Sequence, residues 1–152
     1  MNIRLNVAAV IVRDDKILLV EFNDETGLHY NLPGGGVEFG ESVYDALRRE
    51  VLEETNAELE SIGHMLMAWE YIGTKQEYKY GEAHKLALVF PCTLKKNSEP
   101  HFPPNPDLHQ TGIRWVKLDD LPTIPLIPDI AQSLLALLRS DIANPIDVLS
   151  DL

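Results

Sequence analysis

The sequence predicts a mixed α/β (α+β) domain, one mixed β-sheet accompanied by two helices. Apolar runs of strand length, rich in Val, Ile and Leu, recur from Ile3 to Leu118. Only two stretches, Ser42–Thr55 and Ile130–Arg139, favour helix instead. The third observation is size: 152 residues, 45% of them hydrophobic, suit one domain with its own core, so residues 1–152 are expected to form a single unit.

In order along the chain, Ile3–Arg13 is apolar and β-branched. After Asp14 and Asp15 the segment Lys16–Phe22 is apolar again, so the two read as a hairpin. Asn23–Gly27 is a turn-forming break. His29–Leu32 is a candidate short strand, stopped by Pro33 and by Gly34, Gly35 and Gly36. Ser42, with Asp45 three residues later, has the form of a capping box that opens the first helix. Ala57–Gly73 reads as one long strand or two, and Thr74–Gly81 as a polar loop or hairpin tip. Ala83–Leu94 is a further strand. Asn97–Thr111 holds four of the ten prolines and is too long for an ordinary turn, which suggests a lid or binding loop. Ile113–Leu118 is the last strand, and Leu134, Leu135, Leu137 and Leu138 give Ile130–Arg139 an apolar face.

Charge narrows the function classes. With 24 Asp and Glu against 13 Lys and Arg, the formal charge is -11, which argues against nonspecific binding to a nucleic acid polymer or an anionic membrane. Cys92 is the single cysteine, so no intramolecular disulfide framework or Cys-rich zinc site is available. The first residues lack the layout of a signal peptide, and a cytoplasmic location is expected. Residues 38–60 concentrate the charge: Glu38, Glu41, Asp45, Glu50, Glu53, Glu54, Glu58 and Glu60 against Arg48 and Arg49, a local -6. The C-terminal segment 141–152 reads as a solvated acidic tail.

At about 100° per residue, Val43, Tyr44, Leu47 and Val51 form one apolar stripe of the first helix, and Glu50 and Glu54 border or interrupt it. Glu50, Glu53 and Glu54 are close neighbours on the helix and repel one another. They also crowd its negative C-terminal end. Local stability favours lysine there, whereas three converging carboxylates suit a hard divalent cation such as Mg²⁺ or Mn²⁺. Arg49, four residues before Glu53, is placed to hold that carboxylate. The preceding glycines allow close backbone approach to a ligand, and their carbonyls are candidate metal ligands, although such a triplet also makes an ordinary tight turn. Neither the P-loop nor the dinucleotide-binding pattern is present.

The stretch GGGVEFGESVYDALRREVLEETNA, residues 34–57, resembles the box of the Nudix (MutT-like) hydrolase family. Gly35, Glu41, Arg49, Glu50, Val51, Glu53 and Glu54 match its fixed positions, and Asn56 stands where the family has glycine. Asn is the next best residue for a left-handed helix end, so the departure is mild. The resemblance implies a Nudix-type mixed β-sheet sandwiched between helices. It further implies a pyrophosphohydrolase that uses Mg²⁺ or Mn²⁺ on a small nucleotide or nucleoside diphosphate-linked substrate.

By matching positions, the resemblance makes Glu50, Glu53, Glu54 and the Gly35 carbonyl, or that of Gly36, metal ligands. Glu53 is alternatively the general base, with Glu41 and Arg49 as supports. An acid or base outside the box is left open among Glu77, Glu82, Glu99, Asp107 and His109. Lys75, Lys79, Lys85, Lys95 and Lys96 are candidates for substrate phosphates, and Trp69, Tyr71, Tyr78 and Tyr80 for stacking on a base or sugar. Dimers are common in the family, so a homodimer is among the implied states. The alternative is a non-catalytic fold of the same type that senses a nucleotide or metabolite. Substrate identity is open; where ADP-ribose-cleaving members carry a proline beyond the box, this chain has Gly73.

Overall fold

The computed structural model of the chain describes residues 2–75 and 81–140. Glu77, Tyr78, Lys79 and Tyr80, and the acidic segment 141–152, lie outside the described residues. The elements run β1 (Ile3–Arg13), β2 (Lys16–Asp24), β3 (Gly27–Asn31), β4 (Gly34–Gly36), α1 (Val43–Thr55), β5 (Leu59–Ile62), β6 (Met67–Ile72), β7 (His84–Leu94), β8 (Gln110–Lys117) and α2 (Ala131–Leu138).

The expected hairpin forms, with Asp14 and Asp15 at φ 51° and 61° making the tight turn, but β1 and β2 pair only at Val12 with Ile17 and Arg13 with Lys16. Beyond that corner the strands separate. β1 runs parallel to β7 from Ile3 beside His84 to Ile11 beside Cys92, while β2 takes β3 and β8 as antiparallel neighbours. The result is a mixed sheet, as the sequence predicts.

One expectation is corrected and one left open is decided. The glycine triplet is a strand, antiparallel to β1 with Gly34 beside Ala8, Gly35 beside Val7 and Gly36 beside Asn6. A Cβ on Gly34 would lie 2.1 Å from the Val7 carbonyl oxygen, so the close pairing demands glycine. Ala57–Gly73 resolves into β5 and β6, both antiparallel to β7.

Side chains alternate along β1 and β2 and so supply two cores. Val7, Ala9, Ile11 and Leu18 pack with Ala46, Leu47 and Val51 of α1 and with Phe90. Val10, Ile17 and Leu19 pack on the other face with Leu134 and Leu135 of α2. The sheet is thus sandwiched between the two helices. Among the described residues no helix is long and apolar enough to cross a membrane.

Candidate active site

Ser42 caps α1, its Oγ accepting from Asp45 N at 3.1 Å, as the capping-box spacing predicts. Asn56 ends the helix in the left-handed conformation, φ 53° and ψ 26°. Between these caps Leu47 and Val51 of the expected stripe are buried, Val43 and Tyr44 are half-buried, and Ala46, outside that stripe, is buried as well, as is Glu54, at 3% exposure. The Glu50 side chain is 12% exposed, whereas that of Glu53 is 50% exposed and reaches solvent.

Arg49 organises the acids. Its Nε donates to Glu41 Oε2 at 2.8 Å and its Nη2 to Glu41 Oε1 at 2.9 Å, a two-pronged ion pair. Nη1 donates to Glu50 Oε1 at 2.8 Å, and Nη2 also reaches the Gly36 carbonyl at 3.0 Å. The expected grip on Glu53 is the weakest contact, 3.4 Å, because that carboxylate extends outward while Glu41 offers both oxygens to the guanidinium fork. Of the two glycine carbonyls considered as metal ligands, that of Gly36 is therefore engaged by Arg49. Gly35 instead packs on Glu50: a Cβ there would lie 2.4 Å from the Glu50 Cδ.

The electrostatics follow this geometry. The Arg49 guanidinium holds the Glu41 carboxyl down at about 2. Burial pushes the Glu50 carboxyl up against the opposing pull of Arg49. Burial drives Glu54 up to about 8; the Gly34 amide, donating to its Oε1 at 2.7 Å, opposes this, and the charges of Asp107, Glu50 and Glu53 add to it. Among the described residues no basic side chain pairs with Glu54, and no three acidic, His or Cys side chains are already gathered into a metal cluster.

Of the acids and bases left open outside the box, Asp107 is the one whose charge acts on both Glu50 and Glu54. Glu99 is turned away in a two-pronged pair with Arg13, at 2.8 and 2.6 Å. The His109 carbonyl accepts from Asn23 N at 2.9 Å beside β2. Glu82 is exposed next to the undescribed segment. Lys95 lies 3.8 Å from Glu58, Tyr71 is buried, and Trp69 stacks on it with ring centroids 5.7 Å apart. Cys92 is a buried hydrophobe, its thiol pushed up to about 12 by burial.

Two residues that sequence reasoning missed anchor the proline-rich loop. His101 N donates to Thr55 O at 2.9 Å, and its Nε2 lies 2.5 Å from Asn56 Nδ2. Buried Gln110 donates from Nε2 to Glu54 O at 2.9 Å. They satisfy carbonyls that the last helical turn leaves without partners. The usable signal was a helix ending with no basic residue in its last turn, facing a loop with polar side chains at both ends.

The NUDIX domain family model matches residues 2–138. Nucleoside triphosphatase NudI of Escherichia coli is 30% identical over 129 residues, covering 80% of this chain and 86% of that protein. NAD-capped RNA hydrolase NudC of Photorhabdus laumondii is 29% identical over 125 residues, 82% of this chain but 43% of NudC, so the chain spans less than half the length of that relative. The solved NUDIX hydrolase from Nitrosomonas europaea superposes with a TM-score of 0.77 at 25% identity, covering 98% of this chain and 97% of that one. With the box carried on β4 and α1 of this sandwich and the family match extending over nearly all of its length, the chain belongs to the Nudix hydrolase family.

Proposed function

We propose that the chain cleaves a diphosphate bond in nucleoside triphosphates or nucleoside diphosphate derivatives, with Mg²⁺ or Mn²⁺ held by Glu50 and Glu54 and with Glu53 beside them as the general base. The observation that carries this reading is Glu54: a carboxyl 3% exposed, held by a backbone amide and without a basic partner among the described residues. A buried carboxylate in that state is costly to ionise, and a divalent cation is the partner that offsets the cost. The donors available are all oxygen, as a hard cation requires. The similarity to a nucleoside triphosphatase supports the substrate class.

When bound, the cation supplies Lewis acidity toward the phosphate oxygens. The chain's own residues do the rest. Arg49 keeps the Glu50 carboxylate against β4 and fixes Glu41 over the start of the helix. Gly34 N fixes one oxygen of Glu54. Glu53, with half its side chain in solvent, receives the proton of the attacking water at a carboxylate oxygen.

The test is a panel of nucleoside triphosphates and diphosphate-linked nucleosides with Mg²⁺ or Mn²⁺, scoring phosphate, pyrophosphate and nucleotide. Metal-dependent release of a nucleotide product is expected. No turnover of any compound with either ion, together with tight calorimetric binding, would make the chain a binding fold instead.

A further inference from the structure

Arg4 of β1 and Lys85 of β7 stand directly opposite one another in the parallel pairing. Their side chains therefore share one face of the sheet, and like charges so placed destabilise it. Lys85 is half-buried, and burial together with the facing Arg4 pulls its ammonium below the usual lysine range. Lys16 and Lys117 oppose one another in the same way on β2 and β8, but both are exposed, where solvent and salt screen the repulsion.

In a chain with 24 acids against 13 bases, an anionic partner for either cation is easily supplied. Yet among the described residues neither Arg4 nor Lys85 makes an ion pair or a side-chain hydrogen bond. Glu50 lines a cleft with Arg4, Gly36 and Glu38, but its carboxylate is taken by Arg49. A half-buried cation in that state forfeits hydration without replacement, which an anion would restore.

The pair lies beside the acidic site. Successive residues of a strand face opposite ways, so Gly35 packs on Glu50 whereas Gly36 turns toward Arg4, whose Nη2 comes within 3.5 Å of where a Gly36 Cβ would stand. Lys85 lines a space that it shares with Gly34 and Gly35, the residues that touch Glu54 and Glu50. We propose that Arg4 and Lys85 form a two-cation clamp that holds a phosphate group of the substrate directly, while the acids across β4 reach phosphate only through a divalent ion. A polyphosphate meets both demands, since one phosphate can engage the ion while another removes the repulsion between Arg4 and Lys85. Arg4 contributes a planar fork and Lys85 a point charge, both suited to phosphate oxygens. The proposal deepens the hydrolase reading and rests on it for the end of the substrate at the ion, though not for the clamp itself.

Calorimetry of the intact chain in EDTA, with inorganic tripolyphosphate as the probe, reads the clamp without metal or turnover. Wild type should bind it, with an affinity that falls as salt rises. Arg4→Gln and Lys85→Met should each weaken that binding about tenfold or more, while Arg4→Lys keeps most of it. Lys85→Met should melt at or above the wild-type temperature without ligand, since it removes an unpaired half-buried charge, and should lose the rise in Tm that tripolyphosphate gives wild type. Should Lys85→Met fail to fold, Arg4→Gln, at an exposed position, carries the comparison. With Mg²⁺ present, each variant should raise the KM for a nucleoside triphosphate about tenfold. Wild-type affinity for tripolyphosphate in the variants overturns the clamp. So does inorganic phosphate that binds through Arg4 and Lys85 without competing with nucleotide, which would mark a separate site for free phosphate. Charge-dependent tripolyphosphate binding with no turnover of any nucleotide would leave the clamp standing and overturn the hydrolase reading. Ordinary turnover with KM unchanged in both variants would do the reverse.

Discussion

Arg49 and Glu41, eight residues apart, are joined by two parallel hydrogen bonds of 2.8 and 2.9 Å. The same guanidinium touches Glu50 and the Gly36 carbonyl, so one side chain ties the box loop, β4 and α1 together. Lysine carries a point charge and cannot hold that fork. Arg49→Lys should fold, yet lose about 10–100-fold in kcat and bind divalent ions more weakly. Kinetics across a metal titration reads both effects, and unchanged kinetics would remove Arg49 from the site.

Glu53 and Glu54 separate by environment. Glu53→Gln sits half in solvent and should leave the unfolding free energy within about 0.5 kcal/mol of wild type while cutting kcat by about 10²–10⁴-fold. Glu54→Gln should melt at or above the metal-free wild-type temperature, because it removes a group costly to ionise, and should lose the stabilisation by Mn²⁺. Wild-type turnover in both variants would sink the assignment.

Stability should depend on pH in opposite senses at two acids. Glu54, raised from 4.5 to about 8, contributes fully below its unfolded value, and that contribution is lost as pH rises through about 8. Glu41, lowered to about 2, contributes above its unfolded value of 4.5 and loses its share as pH falls toward 2. Cation binding must displace the Glu54 proton, so the Tm gain on adding Mn²⁺ should grow between about pH 6 and about pH 8.5. A pH-independent gain, or one unchanged in Glu54→Gln, would contradict this.

Neighbouring glycines should fail differently. On Gly34 a Cβ would meet backbone, Val7 O at 2.1 Å and Ala8 Cα at 2.8 Å, so Gly34→Ala must part β4 from β1 and cost about 1–3 kcal/mol or more. On Gly35 it would meet only the carboxyl end of Glu50, at 2.4 to 2.6 Å, which can swing aside. Gly35→Ala should therefore keep most of its stability but lose the Mn²⁺ response. Thermal melts of the pair with and without Mn²⁺ check both.

Features repeating within one element were legible in the sequence. The wheel of α1 set Glu54 at the border of its apolar stripe, Ser42 marked its start, and the left-handed tolerance of Asn accounted for Asn56. The box spacing also pointed to the fold around it. Contacts between distant segments were not legible. The preference of Arg49 for Glu41 over Glu53 depends on where the loop before α1 carries Glu41, and spacing along the helix alone favours Glu53. The triplet Gly34–Gly36 reads as a turn by composition and becomes a strand because β1 lies alongside it. His101 and Gln110 could not be paired with Thr55 and Glu54 before the course of the proline-rich loop was known.

The parallel partnership of β1 and β7 also governs when the site comes into being. β1 precedes the whole box and β7 follows it, yet α1 rests on Val7, Ala9 and Ile11 from one and Phe90 from the other. A chain still being synthesised, halted before β7, offers α1 only part of its floor, and its acids remain spread along a poorly supported segment. Closing so long a stretch is slow and opposed by chain entropy. The proposed divalent cation uptake should therefore require β7 to be in place, and an excised box peptide should not reproduce it.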